Sequence, residues 1–600
     1  MSMNSADLPS SAQAELAAGF AAHLCRWIGP DAVAELGAVA RAIALAAGEG
    51  HVCVPLAELA ARTKGEAQQL AQVLLDCGAA VAAPPPADSA CPLVVDGEQV
   101  YLRRFFDFEV RLAATLGKLA APLPSPALRA PSPASGRRDK VDWQQVAVEL
   151  ARGRRLTIIS GGPGTGKTTT VARLIAELLT SQPDLRIKLA APTGKAAARM
   201  LEALAQRTQD FPPTLRQQLP TEAHTIHRLL GAGTQAGYFR HHAGNPLVLD
   251  LLVVDEASML DLALAARLVE ALPPTARLVL LGDKDQLAAV EAGSVFADLS
   301  AGWRFSAAEA ARIGGVTGVA AASLMTGEGE PNLVDSVVWL KESHRFPADS
   351  GIGRLAREIN AGQGAAAFAG LGADAAVGWI NDEGDKPCAA TLTALAAGYA
   401  PYLDALAHSE AAAVDTRLDR AFAAFDQFRV LVAVHEGARG LSAINAVLTR
   451  HAREVLGAGT GGAFWAGRPV IVLRNDALSG LANGDIGLTL PNPADAGALR
   501  VFFPQAGGGY RAFAPQRLPE CDTAFALTVH KSQGSEFNEV FLLLPATPVR
   551  VLTRELLYTG VTRAKKRVVV AGSEAVFTAA CARRAERFSG LGARLRGVGT

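Results

Sequence analysis

One segment limits the fold more than any other. The residues SGGPGTGKTTT (160–170) join an apolar strand candidate, LTIIS (156–160), to a helical stretch, VARLIAELL. A glycine-rich loop between a strand and a helix, ending in Gly-Lys-Thr, is typical of a phosphate-binding loop. Backbone N–H groups and the helix N-terminus cradle the phosphates, and the Lys167 ammonium neutralises their oxygens. We therefore predict that this loop binds nucleotide through Gly161, Gly162, Pro163, Gly164, Thr165, Gly166, Lys167, Thr168 and Thr169. A glycine-rich turn without a ligand is the alternative.

Two further strand candidates end in residues suited to nucleotide chemistry. LLVVD ends at Asp255, and we predict that this carboxylate holds Mg²⁺ together with the Thr168 hydroxyl. The adjacent Glu256 is predicted to polarise the attacking water. LLGDKDQL places Asp283 and Gln286 at the carboxyl edge of the sheet, where open α/β folds bind ligands. Gln286 is predicted to contact both this water and the γ-phosphate. Each pattern alone is also compatible with a solvated turn.

Gln144 lies just before the first strand candidate of this region. Its side-chain amide both donates and accepts hydrogen bonds, so we predict that it reads the edge of the adenine base. A solvent-exposed helical glutamine is the competing interpretation.

The composition excludes several classes of protein. Lys plus Arg and Asp plus Glu each total 58, so the formal net charge is zero and any nucleic-acid binding must depend on a local groove. The seven cysteines lack zinc-type spacing and are odd in number, which indicates reduced thiols. Neither a signal segment nor a membrane span is recognised, and we expect a soluble, cytoplasmic protein.

The chain of 600 residues is too long for one hydrophobic core, at about 100–200 residues per domain. Apolar strand candidates alternating with helices predict an α/β fold with two parallel-sheet lobes, at 141–345 and 346–600. Residues 1–120 are Ala- and Leu-rich and predict a small helical domain. A Pro/Ser-rich linker follows at 121–140. Short β-like runs at 463–518 predict a small antiparallel barrel inserted in the second lobe.

Taken in order, these motifs resemble those of superfamily 1 helicases, and among them the RecD subunits of RecBCD helicase–nucleases (exonuclease V). The likeness covers most of the chain and includes the strings AAPTGKAAARM (190–200), HTIHRLLGA (224–232), ESHRF (342–346), NGDIG (483–487), TVHKSQGSEF (528–537) and LLYTGVTRAKKR (556–567). One departure is His344, where the family commonly has Tyr.

The resemblance implies two RecA-like motor lobes that use ATP and Mg²⁺ to move 5′ to 3′ on single-stranded DNA at duplex ends. It also implies a heterotrimer with RecB and RecC that processes double-strand breaks for recombinational repair. The amino-terminal domain is then expected to dock onto RecC. Deletion of residues 1–120 is expected to disconnect the motor from the complex without destroying the ATP site. Nuclease activity is expected only from the complex.

The resemblance assigns roles to residues outside the phosphate loop as well. Arg345 and Arg563 match two arginine fingers, which stabilise charge on the transferring phosphoryl group. Three neighbouring residues match nucleotide contacts that couple the lobes: Gln533, Gly534 and Glu536. The residues that match DNA contacts are Pro192, Thr193, Gly194, Lys195, His224, Thr225, His227, Thr528, His530 and Lys531. Such arginines also serve as surface ion-pair partners, and lone histidines commonly fill cores or surfaces.

Four other functions compete with this interpretation. A phosphate-loop ATPase acting as a switch without translocation explains the loop but leaves the motifs after residue 528 without a role. A non-catalytic subunit with a vestigial site conflicts with the intact set of charged residues. An RNA-directed superfamily 1 helicase is opposed only by the strings that resemble RecD in particular, AGEGHVCVPL (47–56) and VYLRRFF (100–106). A stand-alone superfamily 1 helicase is opposed by the same strings and because the first 140 residues show no helix-hairpin-helix glycine pattern, which such helicases usually carry.

Overall fold

A computed structural model describes residues 11–29, 34–63, 65–121, 141–233, 237–347, 349–408, 414–459, 461–476, 478–505 and 508–598. The linker expected at 121–140 lies outside these residues, except for Ala121. Within these ranges, no helix combines the length and apolar composition needed to cross a membrane. The cysteines are all free thiols. The fold class expected from the sequence, α/β with two parallel-sheet lobes, is confirmed.

The amino-terminal region combines helices with a small sheet. Its helices are α1 (Ser11–Ile28), α2 (Ala34–Gly48), α3 (Leu56–Thr63), α4 (Ala67–Asp76) and α5 (Arg103–Ala120). Its strands are β1 (Cys53–Pro55), β2 (Ala80–Ala82), β3 (Leu93–Asp96) and β4 (Gln99–Leu102), in the order β1-β4-β3-β2. The sequence predicted the helices but not this sheet, because strands of three or four residues are too short to show a period of two.

The first lobe is built on six parallel strands in the order β12-β5-β9-β8-β6-β7. Helices cover this sheet, so central strands such as β8 are buried along their whole length. The lobe contains α6 (Trp143–Gly153), β5 (Leu156–Gly161), α7 (Lys167–Ser181), β6 (Ile187–Ala191), α8 (Gly194–Arg207), α9 (Pro213–Arg216), β7 (Ala223–Thr225), α10 (Ile226–Leu230), β8 (Leu251–Val254), α11 (Leu262–Glu270), β9 (Arg277–Gly282), α12 (Val295–Leu299), β10 (Gly302–Trp303), α13 (Ala307–Thr317), α14 (Ala321–Met325), β11 (Glu328–Gly329) and β12 (Val337–Leu340).

The second lobe is built on five parallel strands in the order β13-β22-β21-β14-β20. Up to the inserted strands it contains α15 (Gly351–Asn360), α16 (Gly364–Gly370), β13 (Val377–Asn381), α17 (Ala389–Ala407), α18 (Val414–Phe425), β14 (Phe428–Val432) and α19 (Leu441–Leu456). The inserted strands are β15 (Pro469–Val472), β16 (Ile486–Asn492), β17 (Ala498–Pro504), β18 (Tyr510–Phe513) and β19 (Cys521–Thr523). The chain then forms β20 (Ala526–Thr528), β21 (Phe537–Leu543), α20 (Arg554–Val561), β22 (Ala564–Gly572), α21 (Glu574–Ala582) and α22 (Leu591–Val598).

The expected barrel is not confirmed. The inserted strands pair antiparallel in the open order β18-β17-β16-β15-β19, and no pairing between β18 and β19 closes the sheet in the described part of the chain. Leu488, Leu490 and Phe502 join a core that the sheet shares with the helices of the second lobe. Because these side chains are buried against another element, the sheet covers its apolar face without closing on itself.

Helix α5 is part of the core of the first lobe. Leu112, Ala113, Leu116 and Leu119 are buried in the same apolar cluster as the strands of that lobe, and α5 packs against α11. The expected boundary at residue 120 therefore does not separate two independent cores, because one helix is shared by both.

The end of the chain leaves the second lobe. Helix α22 packs against α5 and α12, and its Leu591 and Leu595 are buried in the core of the first lobe. Arg594 also donates to the buried carboxylate of Glu109, with a distance of 2.9 Å from Nε to Oε1. The sequence assigned all of 346–600 to the second lobe, but these contacts join its last helix to the amino-terminal half.

We expect deletion of residues 1–120 to abolish folding of the first lobe. A fully buried leucine contributes about 1.5–3 kcal/mol, and domains are stable by only about 5–15 kcal/mol, so losing α5 removes much of this stability. A matched truncation of residues 1–102 keeps α5 and should retain more soluble protein. Solubility and ATP hydrolysis of the two truncations provide the measurement. Equal solubility and ATP hydrolysis of the variants lacking residues 1–102 and 1–120 would contradict a structural role for α5.

Candidate active site

The phosphate loop connects β5 to α7. Gly164 and Gly166 have φ angles of 77° and 88°, a left-handed backbone conformation that glycine adopts without a steric penalty. Lys167 is the first residue of α7, and its Nζ donates to the carbonyl oxygens of Gly161 at 2.5 Å and Gly162 at 3.2 Å. A cation therefore lies beside the N–H groups at the start of a helix, an arrangement suited to phosphate.

Asp255 and Glu256 follow β8 directly. Glu256 has φ 52° and ψ 38°, a strained left-handed conformation for a residue with a side chain, and such strain is common at functional sites. Its N–H donates to Asp255 Oδ1 at 2.8 Å. Burial and the neighbouring Glu256 raise the pKa of Asp255 to about 6, while the charge of Lys167 opposes the rise. Asp255 thus lies near enough to the cation of the phosphate loop to be influenced by its charge.

Asp283 and Gln286 lie in the loop after β9, the strand next to β5. The Gln286 Nε2 donates to Asp283 Oδ2 at 3.0 Å, and both side chains are buried. Among the described residues, Gln286 Oε1 has no hydrogen-bond partner although it is buried. The structure therefore places both residues at the carboxyl edge of the sheet, with one amide oxygen left to accept a bond.

The ESHRF string lies against the phosphate loop. Ser343 Oγ donates to the Pro163 carbonyl oxygen at 2.7 Å, and the N–H of His344 donates to that of Gly164 at 2.9 Å. The backbone N–H of His344 makes this contact, so the replacement of the usual Tyr does not remove it. The loop is thus supported by the segment that carries Arg345.

Gln144 also contacts the loop. Its Nε2 donates to the Thr165 carbonyl oxygen at 3.1 Å. The helix that carries it, α6, begins at a cap in which Asp142 Oδ1 accepts from the N–H of Gln144 at 3.1 Å. The amide is therefore held beside the phosphate loop, and contact with adenine stays a prediction.

Arg345 and Glu536 form an ion pair that the sequence did not predict. Arg345 Nη1 lies 2.5 Å from Glu536 Oε1, and Lys565 Nζ lies 3.5 Å from Oε2. Burial opposes ionisation of Glu536, but the surrounding cations, of which Arg345 has the largest effect, hold its pKa below the usual value. The family resemblance assigned separate roles to Arg345 and Glu536, whereas the fold pairs them between the lobes.

Arg563 is buried, with 3% of its surface exposed. Its Nε donates to the Thr559 carbonyl oxygen and its Nη1 to that of Ser535, each at 3.2 Å. Thr559 lies on α20, and Arg563 follows two residues after the end of this helix. The guanidinium group is fixed by main-chain acceptors of the second lobe.

Gln533 and Gly534 connect the lobes. Gln533 Nε2 donates to the carbonyl oxygen of Leu287 at 2.8 Å, in the loop that contains Gln286. Arg199 Nη1, on α8 of the first lobe, donates to the Gly534 carbonyl oxygen at 2.6 Å. Sequence reasoning missed Arg199, although it belongs to the AAPTGKAAARM string.

The same reasoning also missed Tyr558 and Thr559. Tyr558 OH donates to Asp283 Oδ2 at 2.9 Å, and Thr559 Oγ1 accepts from the N–H of Leu287 at 3.0 Å. Their position in the string YTGVTRAKK beside Arg563 was the available signal. Periodicity alone does not reveal a partner that lies 275 positions away in the chain.

The DNA-contact candidates of the first lobe follow two adjacent strands. Thr193 caps α8 by accepting from the N–H of Ala196 at 3.2 Å, and Thr225 caps α10 by accepting from that of Arg228 at 3.2 Å. Strands β6 and β7 pair in parallel, so both caps lie at one edge of the sheet. Pro192, Gly194 and Lys195 occupy the same edge.

The two histidine candidates differ in environment. His224 is half-buried and its Nε2 lies 3.3 Å from Glu222 Oε2, while burial lowers its pKa. His227 is exposed, with its ring centroid 5.9 Å from that of Phe239. The structure therefore brings only His227 to an open surface.

The candidates of the second lobe lie at the end of β20. Thr528 is buried, and its Oγ1 accepts from the N–H of Lys531 at 3.3 Å. Burial is also the main cause that lowers the pKa of both His530 and Lys531. Lys531 Nζ is 3.5 Å from Oδ1 of Asn483, in the NGDIG string of the insertion.

The insertion also touches the first lobe. A Cβ placed on Gly194 would lie 3.1 Å from the Cβ of Ala482. Burial lowers the pKa of Lys195 to about 7, with Arg199 adding to the effect and Asp485 opposing it. The segment 482–485 thus lies between the two sets of DNA-contact candidates.

The chain is similar to several known proteins. Residues 144–292 match the family described as "AAA domain", and residues 523–571 match the "UvrD-like helicase C-terminal domain". The chain is 39% identical over 579 residues to the RecBCD enzyme subunit RecD of Mycolicibacterium smegmatis, which covers 95% of each protein. It is 40% identical over 561 residues to the RecD subunit of Mycobacterium tuberculosis, covering 92% of this chain and 89% of that protein. A crystal structure of Bacteroides Pif1 helicase with ADP-AlF3 and ssDNA matches with 15% identity and a TM-score of 0.36, covering 72% of this chain and 92% of that one.

Proposed function

Because this chain belongs to the family of RecD subunits of the RecBCD enzyme, we propose that it moves 5′ to 3′ along single-stranded DNA as one motor of a complex with RecB and RecC. ATP-dependent helicase activity follows from membership of the family. The main structural support for a motor role is that side chains of the second lobe contact the first lobe close to the phosphate loop. Arg345 and Glu536 pair there, and Gln533 and Gly534 contact the first lobe.

For hydrolysis, we assign binding of the β- and γ-phosphates to Lys167 and activation of the water to Glu256. Gln286 senses the water and the γ-phosphate. We assign stabilisation of the transition-state charge to the guanidinium groups of Arg345, in the segment between the lobes, and Arg563, in the second lobe. These roles are supported by the positions of Lys167, Glu256 and Gln286 after β5, β8 and β9, and by the pairing of Arg345 with Glu536 of the second lobe.

The oxygen donors of Thr168 and Asp255 suit Mg²⁺, which prefers hydroxyl and carboxylate ligands. Asp255 supports this assignment because it directly follows β8, and burial together with the charge of Glu256 raises its pKa although Lys167 opposes the rise. When bound, Mg²⁺ would neutralise phosphate charge.

Movement along DNA requires contact sets on both lobes. The set on the first lobe follows β6 and β7, and the set on the second follows β20. Contacts with phosphates position a strand without reading its sequence, which suits a translocating motor. Closing and opening of the cleft between the lobes would then ratchet the strand.

The complex is expected to process double-strand breaks for recombinational repair, with RecB supplying the nuclease. Docking of the amino-terminal domain onto RecC is part of this proposal. The shared helix α5 also makes this domain a structural extension of the first lobe.

Unwinding of duplexes that carry a single tail, either 5′ or 3′, tests the polarity. We expect the purified chain, alone and with RecB and RecC, to show ATPase activity stimulated by single-stranded DNA. It should unwind a duplex with a 5′ tail and not one with a 3′ tail when assayed alone. The Glu256→Gln variant, which keeps the shape of the side chain, is the control for ATP dependence.

Three outcomes of these measurements would count against the proposal. Preference for the 3′ tail would refute the polarity. ATPase activity that is indifferent to DNA would instead favour a phosphate-loop switch, and stimulation by RNA alone would favour an RNA helicase.

A further inference from the structure

Side chains of the second lobe hold the loop that follows β9 in the first. Tyr558 OH donates to Asp283 Oδ2 at 2.9 Å. Thr559 Oγ1 accepts from the N–H of Leu287 at 3.0 Å, and Gln533 Nε2 donates to its carbonyl oxygen at 2.8 Å. All five residues are buried, so water does not compete for these bonds.

The Asp283 carboxylate fixes the orientation of Gln286. Its Oδ2 accepts from both Tyr558 OH and Gln286 Nε2, while its Oδ1 accepts from the N–H of Asp285 at 3.1 Å. A carboxylate can only accept, so it must face the nitrogen of the amide rather than the oxygen. The Gln286 Oε1, buried and without a partner in the described part of the chain, is thereby left to accept a bond from a ligand or water.

The Tyr558 hydroxyl also lies against the phosphate loop. A Cβ placed on Gly162 would lie 2.9 Å from it and 3.8 Å from Asp283 Oδ2. Burial, with the charge of Asp283 adding to it, raises the pKa of Tyr558 well above its ordinary value. The hydroxyl therefore keeps its proton and acts as a donor where the two lobes and the phosphate loop meet.

We propose that Tyr558 is a positioning residue for ATP hydrolysis, which acts from the second lobe by holding Asp283 so that the amide oxygen of Gln286 faces the attacking water. The proposal rests on the proposed function, in which Gln286 contacts that water. Separation of the lobes breaks the bond between Tyr558 and Asp283 and leaves Gln286 less constrained. Hydrolysis is thereby tied to contact between the lobes.

Removing one oxygen atom tests this role. We expect Tyr558→Phe to lower kcat of the DNA-stimulated ATPase about five- to tenfold, because a buried hydrogen bond to a charged group is lost. The KM for ATP should stay within about twofold, since ground-state contacts are retained. Tyr510→Phe is the matched control, because Tyr510 OH also donates to a carboxylate, Asp419 Oδ1, at 2.7 Å, but on the inserted sheet. The control should retain full turnover.

A double variant tests whether Tyr558 acts through Gln286. We expect Gln286→Ala to reduce kcat more strongly than Tyr558→Phe, and the combination to be no slower than Gln286→Ala alone. Residues that act as one unit show such non-additivity, whereas independent contributions multiply. A purely structural role would lower the melting temperature without producing this coupling.

The possible failures are distinguishable. Normal kcat of Tyr558→Phe, or a raised KM with unchanged kcat, overturns the positioning role while leaving the proposed function intact, provided that Gln286→Ala is slow. Multiplicative losses in the double variant overturn it as well. Normal turnover of Gln286→Ala refutes the water contact itself, and the inference falls together with that part of the proposed function.

Discussion

The Lys167→Gln variant is expected to lose ATP hydrolysis by at least about 10²–10³-fold, because a preorganised charge aimed at the phosphates is removed. Among the residues that the structure describes, the ammonium group donates to the carbonyl oxygens of Gly161 and Gly162 alone. The loop takes its shape from glycines with positive φ, so the fold should be retained. DNA-stimulated ATPase and thermal unfolding, measured on the same preparation, check both statements.

Lys188→Gln is the matched control for this variant. Lys188 is an exposed residue of β6 in the same lobe, so its replacement removes an equal charge away from the loop. Activity close to that of the unchanged protein is expected. If Lys167→Gln hydrolysed ATP as well as this control, the assignment of the phosphate loop would be wrong.

The Arg563→Ala variant is expected to bind ATP nearly normally but to hydrolyse it about 10³–10⁵-fold more slowly, the range typical of arginine fingers. The reason is that the guanidinium group acts mainly on the charge of the transition state. Measuring ATP affinity at equilibrium, and turnover separately, distinguishes the two effects. Arg567→Ala, an exposed residue of β22 whose Nη1 lies 3.7 Å from Glu539, is the control.

Arg563 is buried, and its removal leaves the Ser535 carbonyl oxygen without this donor, whereas that of Thr559 also accepts from Thr562 Oγ1 at 3.3 Å. The expected cost is about 1–3 kcal/mol for each buried group left unpaired, so thermal unfolding must accompany the kinetics. Arg563→Lys keeps a charge and a donor and should be more stable, but still slow, because an ammonium group lacks the planar fork. Reduced ATP affinity with full turnover in either variant would exclude the finger role.

Local sequence determined the phosphate loop. Its glycines permit the positive φ angles, Lys167 begins α7, and the preceding apolar run forms β5. Such features depend on neighbours within a few residues. The apolar strands of both lobes were predicted for the same reason, because strands covered by helices on both faces need continuous apolar side chains. The family resemblance then located Arg345, Glu536 and Arg563, but not their partners.

Only the tertiary structure decided what those residues contact. The pairing of Arg345 with Glu536 joins positions 191 residues apart, and the bond from Tyr558 to Asp283 joins positions 275 apart. The inserted sheet stays open because its apolar side chains are buried against the second lobe. Helices α5 and α22 contribute to the core of the first lobe although they lie near opposite ends of the chain. Local patterns show which face of an element is apolar, but the surface that covers this face depends on how distant segments pack together.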